Sequence, residues 1–242
     1  MRKIIIVIIS IIISFNLYSK PLQTYDNGTS KIEVDTIYQK IDTTTITLIV
    51  YRPINSHAYF TTTRPDSNDT RIKISVAAAF TGKDLKSIMG KYIEKGNMKW
   101  GYKSIANGYV SIIDGKVSIQ PINHSLKTSQ TKAIRKRGYL FQQMLLVNDS
   151  IVMDCRIFGE RETYRRALVI INNNPCIIES EQRLKINDFS ASLVRMGIKT
   201  AICLDMGTWS HGWIRTEGDN YIPIGKLTSS TANQTNWLIF TD

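Results

Sequence analysis

Asp205 ends an apolar run, Ala201-Ile202-Cys203-Leu204, and begins a loop, Met206-Gly207-Thr208-Trp209-Ser210-His211-Gly212-Trp213. A carboxylate at the C-terminal end of a buried strand, followed by glycine and small polar residues, stands where open sheets leave a crevice for ligands. Asp205 is therefore the first candidate for acid, base or charge-stabilising chemistry. The same residue type in the same place also serves as a turn aspartate bonded to its own loop. Trp209 and Trp213 flank His211, and indole faces either stack on the apolar faces of sugar rings or fill a core. His211 has a reference pKa close to neutrality, which suits proton transfer as well as packing. Upstream, Arg161, Arg165 and Arg166 form a basic run. A guanidinium there could hold phosphate oxygens with paired hydrogen bonds, or sit as a surface charge.

Other chemistry finds less support. Asp154 and Asp205 could give oxygens to a hard cation, but their spacing forms no recognisable site, so no metal ligand is assigned and a divalent cation is left open. Cys155, Cys176 and Cys203 make neither C-x-x-C nor a zinc spacing. Each lies in an apolar stretch that suits a small buried hydrophobe. His57, His124 and His211 are equally scattered.

The elements that must position these residues are mostly strands. Lys31 to Arg52 is strand-like, with β-branched residues at nearly every position from Thr43 to Tyr51. Ile72 to Val76 alternates and runs into Ala77-Ala78-Ala79-Phe80. Tyr109 to Ile113 and Lys116 to Ile119 flank Asp114-Gly115, the dipeptide of a tight hairpin turn. Asp84 to Glu94 reads as a short helix. Tyr139 to Val147, Ile151 to Cys155, Ala167 to Ile171, Cys176 to Glu179 and Trp237 to Thr241 read as strands. One amphipathic helix stands out, with Ile186, Phe189, Leu193 and Met196 at helical spacing, Asn187 or Asp188 to cap it and Gly197 to end it. The pattern predicts a single α+β domain, a mixed and mainly antiparallel β-sheet with hairpins and one or two packed helices.

Arg2 and Lys3 precede an apolar run from Ile4 to Phe15, and the small Ser19 follows. That is the pattern of a signal peptide over residues 1–19, before a polar leader over 20–30 and a domain over 31–242. At ~1.5 Å per residue the run spans about 18 Å, short of a bilayer core of roughly 30 Å. The chain is expected to be exported, to the periplasm, cell envelope or surroundings, touching membrane only through this segment. The net charge of +11, from 31 Lys and Arg against 20 Asp and Glu, favours anionic partners. Lys132, Arg135, Lys136 and Arg137 form the densest basic cluster without an interleaved aromatic residue, so nucleic acid is not an expected partner. No surface for an oligomer is evident.

The helix ending at Met196-Gly197 and the stretch Ala201 to Ser210 together resemble the signature of the phosphodiester glycosidase family. That signature is an amphipathic helix, a Gly, an Ala with apolar residues, then Leu-Asp-Gly-Gly-Gly-Ser-Ser. Leu204, Asp205, Gly207 and Ser210 match it, whereas Met206, Thr208 and Trp209 depart. Tyr164-Arg165-Arg166-Ala167-Leu168 is similar to the family's Arg-Thr-Ala strand start, with Arg165 on the arginine and Arg166 on the threonine. Leu145 to Asp149 and the Asp114-Gly115 hairpin recur in the family's order, and the resemblance covers roughly residues 72 to 240. The family's early Asn-Gly-Gly-x-Phe faces Val76-Ala77-Ala78-Ala79-Phe80, where only Phe80 is kept.

The resemblance implies hydrolysis of a sugar-1-phosphodiester at its glycosidic bond, on a phosphate-linked carbohydrate. Asp205 would direct water or steady charge at the anomeric carbon, and Arg165 would hold the phosphate. Gly207, Trp209, Ser210, His211 and Phe80 would line the substrate. No cofactor is certain. The loss of the asparagine and glycines implies the alternative of a catalytically reduced relative that binds glycan or phosphate, since valine offers neither donor nor acceptor.

Overall fold

Branched and aromatic residues at close spacing favour extended backbone, and the chain is built mostly from it. A computed structural model describes residues 17–19, 22–26, 30–41, 43–123, 125–155, 161–206, 211–226 and 229–242, excepting the side chains of 17–19, 26, 219 and 229. In chain order the first strands are β1 (Leu17–Ser19), β2 (Gln23–Asp26), β3 (Lys31–Ile41), β4 (Thr44–Ile54) and β5 (His57–Thr61). They are followed by β6 (Ile72–Ala77), β7 (Lys91–Glu94), β8 (Asn97–Trp100), β9 (Gly108–Ile113) and β10 (Lys116–Pro121). Helix α1 (Ser125–Arg135) precedes β11 (Tyr139–Gln143), β12 (Leu145–Asn148), β13 (Ile151–Val152), β14 (Arg166–Ile171) and β15 (Asn174–Ser180). Helix α2 (Ile186–Arg195) precedes β16 (Thr200–Cys203), β17 (Gly212–Arg215), β18 (Tyr221–Ile224) and β19 (Trp237–Thr241).

These strands form three sheets with antiparallel ladders. The largest runs β1-β3-β4-β15-β14-β16-β12-β13, with β2 also on β3. A second runs β10-β9-β11-β7-β8 and a third β18-β17-β6-β19-β5. The main core lies between the sheets, where Phe60, Val76, Phe141, Leu168, Ile177, Ile202 and Leu238 meet. On its other face the large sheet packs against α2 through Val50, Val169, Ile178, Phe189 and Leu193. β14 alternates between these two layers, since Leu168 joins the first and Ala167 and Val169 the second.

Several expectations are met. Asp114 and Gly115 take left-handed φ of 50° and 75° in the β9–β10 turn, the geometry a two-residue hairpin needs. Gly197 ends α2 at φ 79°. The three cysteines are free and buried. Others are corrected. Asp84 to Glu94 is not helical but turn and strand, because Leu85 and Gly90 take positive φ. Asp84 accepts from the Lys86 and Ser87 amides instead of leaving them for a helix ladder. α2 begins after Lys185, which makes no side-chain cap, so neither Asn187 nor Asp188 serves. Within the segment read as leader, β2 pairs with β3, as β1 does just before it. The rest of the segment read as a signal peptide lies outside the described residues, among which no helix is long and apolar enough to cross a membrane.

Candidate active site

β16 lies between β14 and β12, and its end delivers Asp205 to the junction with the third sheet. The Asp205 amide donates to the Ala78 carbonyl at 2.8 Å, just past the end of β6. The Ala78–Ala79 stretch is fixed in turn by amides from elsewhere. Asn236 Oδ1 accepts from the Ala79 amide at 2.7 Å, and its Nδ2 donates to the Ala79 carbonyl at 2.9 Å. Gln143 Nε2 reaches the Ala78 carbonyl at 3.4 Å.

The Asp205 side chain is 4% exposed. Its Oδ2 accepts from the Thr81 amide at 3.1 Å and from the Thr81 hydroxyl at 3.3 Å. Burial pushes this carboxyl up to about 7, against the Thr81 bonds, the Met206 amide and the Arg166 charge, which favour the carboxylate. A group so placed exchanges its proton close to neutrality.

Arg165 and Arg166 point to opposite layers, as neighbours on a strand do. Arg166 is wholly buried on the inter-sheet side, where its Nε and Nη2 donate to Glu179 Oε1 across the β14–β15 ladder. Beside them burial, and then the Glu179 charge, hold the Tyr51 phenol well above its ordinary value. Arg165 is 9% exposed and its guanidinium is used on backbone, with Nε to the Leu184 carbonyl at 2.9 Å and Nη2 to the Arg161 carbonyl at 2.5 Å. Burial lowers its pKa, and Cys203, Cys155 and Arg161 lie around it. The expected meeting of Asp205 with Arg165 is therefore not formed. Alternation along β14 turns Arg165 toward the α2 layer and Arg166 toward Asp205.

His211 is half-buried, and burial followed by the charges of Arg166 and Arg64 lowers its pKa. It lines a cleft of about 200 Å³ with Arg64, Trp213, Tyr221 and Trp237. Trp213 is 4% exposed and belongs to the third sheet's own core with Ile72, Trp237 and Ile239. Phe80, between the Ala79 and Thr81 backbone that meets Asp205, packs its side chain against the α2-side core. Gly207, Trp209 and Ser210 lie outside the described residues, as does His124. Among the described residues no three His, Cys, Asp or Glu side chains come together as a metal cage.

A second cleft, of about 340 Å³, opens beside Met206, the residue after Asp205. Tyr51, Tyr164, Glu179 and Lys226 line it. The Lys226 ammonium lies 5.0 Å from the Tyr164 ring centre and the Arg183 guanidinium 5.7 Å from it. A larger cleft, about 630 Å³, is at the opposite end of β16, between the Asn172–Asn173 turn and Lys199, and shares no residue with this site. Sequence reasoning overlooked Glu179, Arg166's role and Thr81. A signal existed for the first two. A two-residue turn at Asn172–Asn173 pairs Ile171 with Asn174 and, counting back along both strands, Arg166 with Glu179.

No protein-family profile matches this chain, and no curated protein sequence does. Solved structures do. The catalytic domain of zebrafish N-acetylglucosamine-1-phosphodiester alpha-N-acetylglucosaminidase, auto-inhibited by its pro-peptide, superposes with a TM-score of 0.61 over 93% of this chain and 87% of that one, at 8% identity. A hypothetical protein from Synechocystis gives a TM-score of 0.56 at 11% identity over 92% of this chain and 64% of its own length. At such identities the likeness is one of fold, and the fold of this chain resembles a phosphodiester glycosidase catalytic domain.

Proposed function

We propose that the chain is an exported hydrolase that cleaves a sugar-1-phosphodiester at its glycosidic bond, with Asp205 as the acid–base group. The observation that carries this reading is the placement of Asp205. It lies two residues past the end of β16, next to Met206 in the cleft wall and within reach of the Arg166 charge, on a fold similar to that of a phosphodiester glycosidase. A phosphodiester leaving group departs as an anion already stable at neutral pH, so it needs little protonation. What it requires is a carboxylate to direct water or steady charge at the anomeric carbon, and cations for the phosphate. Asp205 supplies the first. Lys226 and Arg183, gathered at Tyr164, supply the second in place of Arg165, whose guanidinium is bonded to carbonyls.

A second reading, a catalytically reduced relative that binds glycan or phosphate, is favoured by one observation. The Asp205 carboxyl is 4% exposed and already holds the Thr81 donors. Incubation with a chromogenic sugar-1-phosphodiester separates the two. Turnover that vanishes in Asp205→Asn and weakens in Lys226→Ala supports the hydrolase. Saturable binding without product, unchanged in Asp205→Asn, supports the binding protein.

A further inference from the structure

The densest run of lysines in the described surface lies apart from the charge pattern that the proposed site uses. Residues 82–105 hold Lys83, Lys86, Lys91, Lys95, Lys99 and Lys103 against two acids, Asp84 and Glu94. Both acids are engaged locally. Asp84 closes its own turn through Ser87 and Lys86, and Glu94 accepts from Thr61, Thr62 and Lys99. Among these lysines stand large apolar side chains in water. Trp100 is 75% exposed, Leu85 48%, Tyr102 41% and Met98 36%. The Gly82–Ser87 turn that carries Leu85 packs on Tyr102, two residues past Trp100, and Met98 and Trp100 lie on one face of β8 by alternation, with Lys91 3.7 Å from the Trp100 ring centre. An exposed indole, phenol and aliphatic chain set among lysines is costly in plain solvent and matches the interface of a bilayer. There aromatic rings sit at headgroup depth and ammonium groups reach lipid phosphates.

We propose that the β7–β8 hairpin and the Gly82–Ser87 turn beside it dock on an anionic phospholipid surface. The edge position of β8 in its sheet does not favour strand addition by another chain instead, since Lys95 and Lys99 guard that edge. The aromatic residues do not follow the lysines at the regular spacing of a single-stranded nucleic-acid platform. Membrane contact then extends beyond the N-terminal apolar segment, the one place where the sequence pattern alone put it. The docking segment also begins one residue after Thr81, so a docked hairpin holds the Asp205 cleft near the bilayer.

The test uses the full chain and vesicles of phosphatidylcholine, alone or with about 30% phosphatidylglycerol, at about 0.1 M salt. The lipids carry bromine at the upper acyl chain, which quenches a tryptophan that enters the interface. Residues 4–15 contain no tryptophan, so insertion of that run leaves the signal untouched. Quenching is expected in the anionic vesicles, absent in Trp100→Phe. In a Lys83/Lys86/Lys95/Lys99→Ala variant the hairpin's partition is expected to fall about a thousandfold. A Lys132/Arg135/Lys136→Ala variant, which removes three charges from the end of α1 and the residue after it, keeps it. The side chains changed on the hairpin are exposed, and matching thermal melts certify the fold. Unquenched Trp100, an equal loss from the α1 variant, or full competition by a soluble polysulfate with Trp100 unquenched overturns the proposal. The last of these outcomes would make the hairpin a polyanion site.

Discussion

Arg166 and Glu179 face each other across the β14–β15 ladder, the arginine wholly buried and the glutamate 4% exposed, so that two opposite charges are sealed together beside the cleft. Such a pair adds little net stability over apolar residues of the same volume, yet losing one partner strands the other in a medium that cannot solvate it. Glu179→Gln or Arg166→Met alone should cost about 3–5 kcal/mol of unfolding free energy, read by urea denaturation. The double change Arg166→Met with Glu179→Leu should recover most of the loss.

The raised Asp205 carboxyl makes stability depend on pH. The native state binds this proton more tightly than the unfolded chain, so the contribution is favourable below 3.8 and is lost as pH rises to about 7. Asp205→Asn keeps the shape and cannot titrate. Measured side by side, the variant should gain on the wild type between pH 3.8 and about 7 by up to a few kcal/mol, since each tenfold difference in proton affinity between the two states is worth roughly 1.4 kcal/mol. A difference that does not change with pH would show that the carboxyl is solvated.

Burial pushes the Cys203 thiol up to about 12 and those of Cys155 and Cys176 to about 11. Thiolate is the reactive form, so the native chain should resist an aromatic disulfide reagent at pH 8. In denaturant all three thiols should react.

Two glycines separate conformational from steric need. A Cβ at Gly212 would lie 2.6 Å from the Ser75 carbonyl and 3.0 Å from Val76 Cγ1, whereas one at Gly197 meets nothing within 4 Å. Gly197→Ala meets only the strain of positive φ, about 1–2 kcal/mol. Gly212→Ala should cost more, because it parts β17 from β6, and should also disturb the His211 cleft. Thermal melts rank the two.

Much of the fold could be read from residue types. The Asp114-Gly115 turn, the β-branched run of β4 and the apolar face of α2 are local signals, and local structure follows them. The division into three sheets is not local. β6 pairs with β17 and β19, which lie far along the chain and carry no mark of that partnership. α1 escaped notice because Ala133 is its only fully buried residue, so it shows no broad apolar stripe. In the site, Asp205 could be found because a strand end and its loop are visible in sequence. Arg166 was missed because a motif match gives no facing, and a one-residue difference on a strand reverses the side.

β19, the last strand along the chain, sits between β6 and β5, and Asn236 just before it clamps the Ala79 backbone that leads to Thr81. The Asp205 environment is thus assembled from segments far apart along the described sequence, Ala78–Thr81 and Asn236. On a ribosome, where the chain emerges in order, β6 must wait for both of its sheet neighbours, β17 and β19, which are made much later. Any chemistry that depends on Asp205 is switched on by the completion of folding, and a nascent or truncated chain carries the carboxylate without the surroundings that tune it.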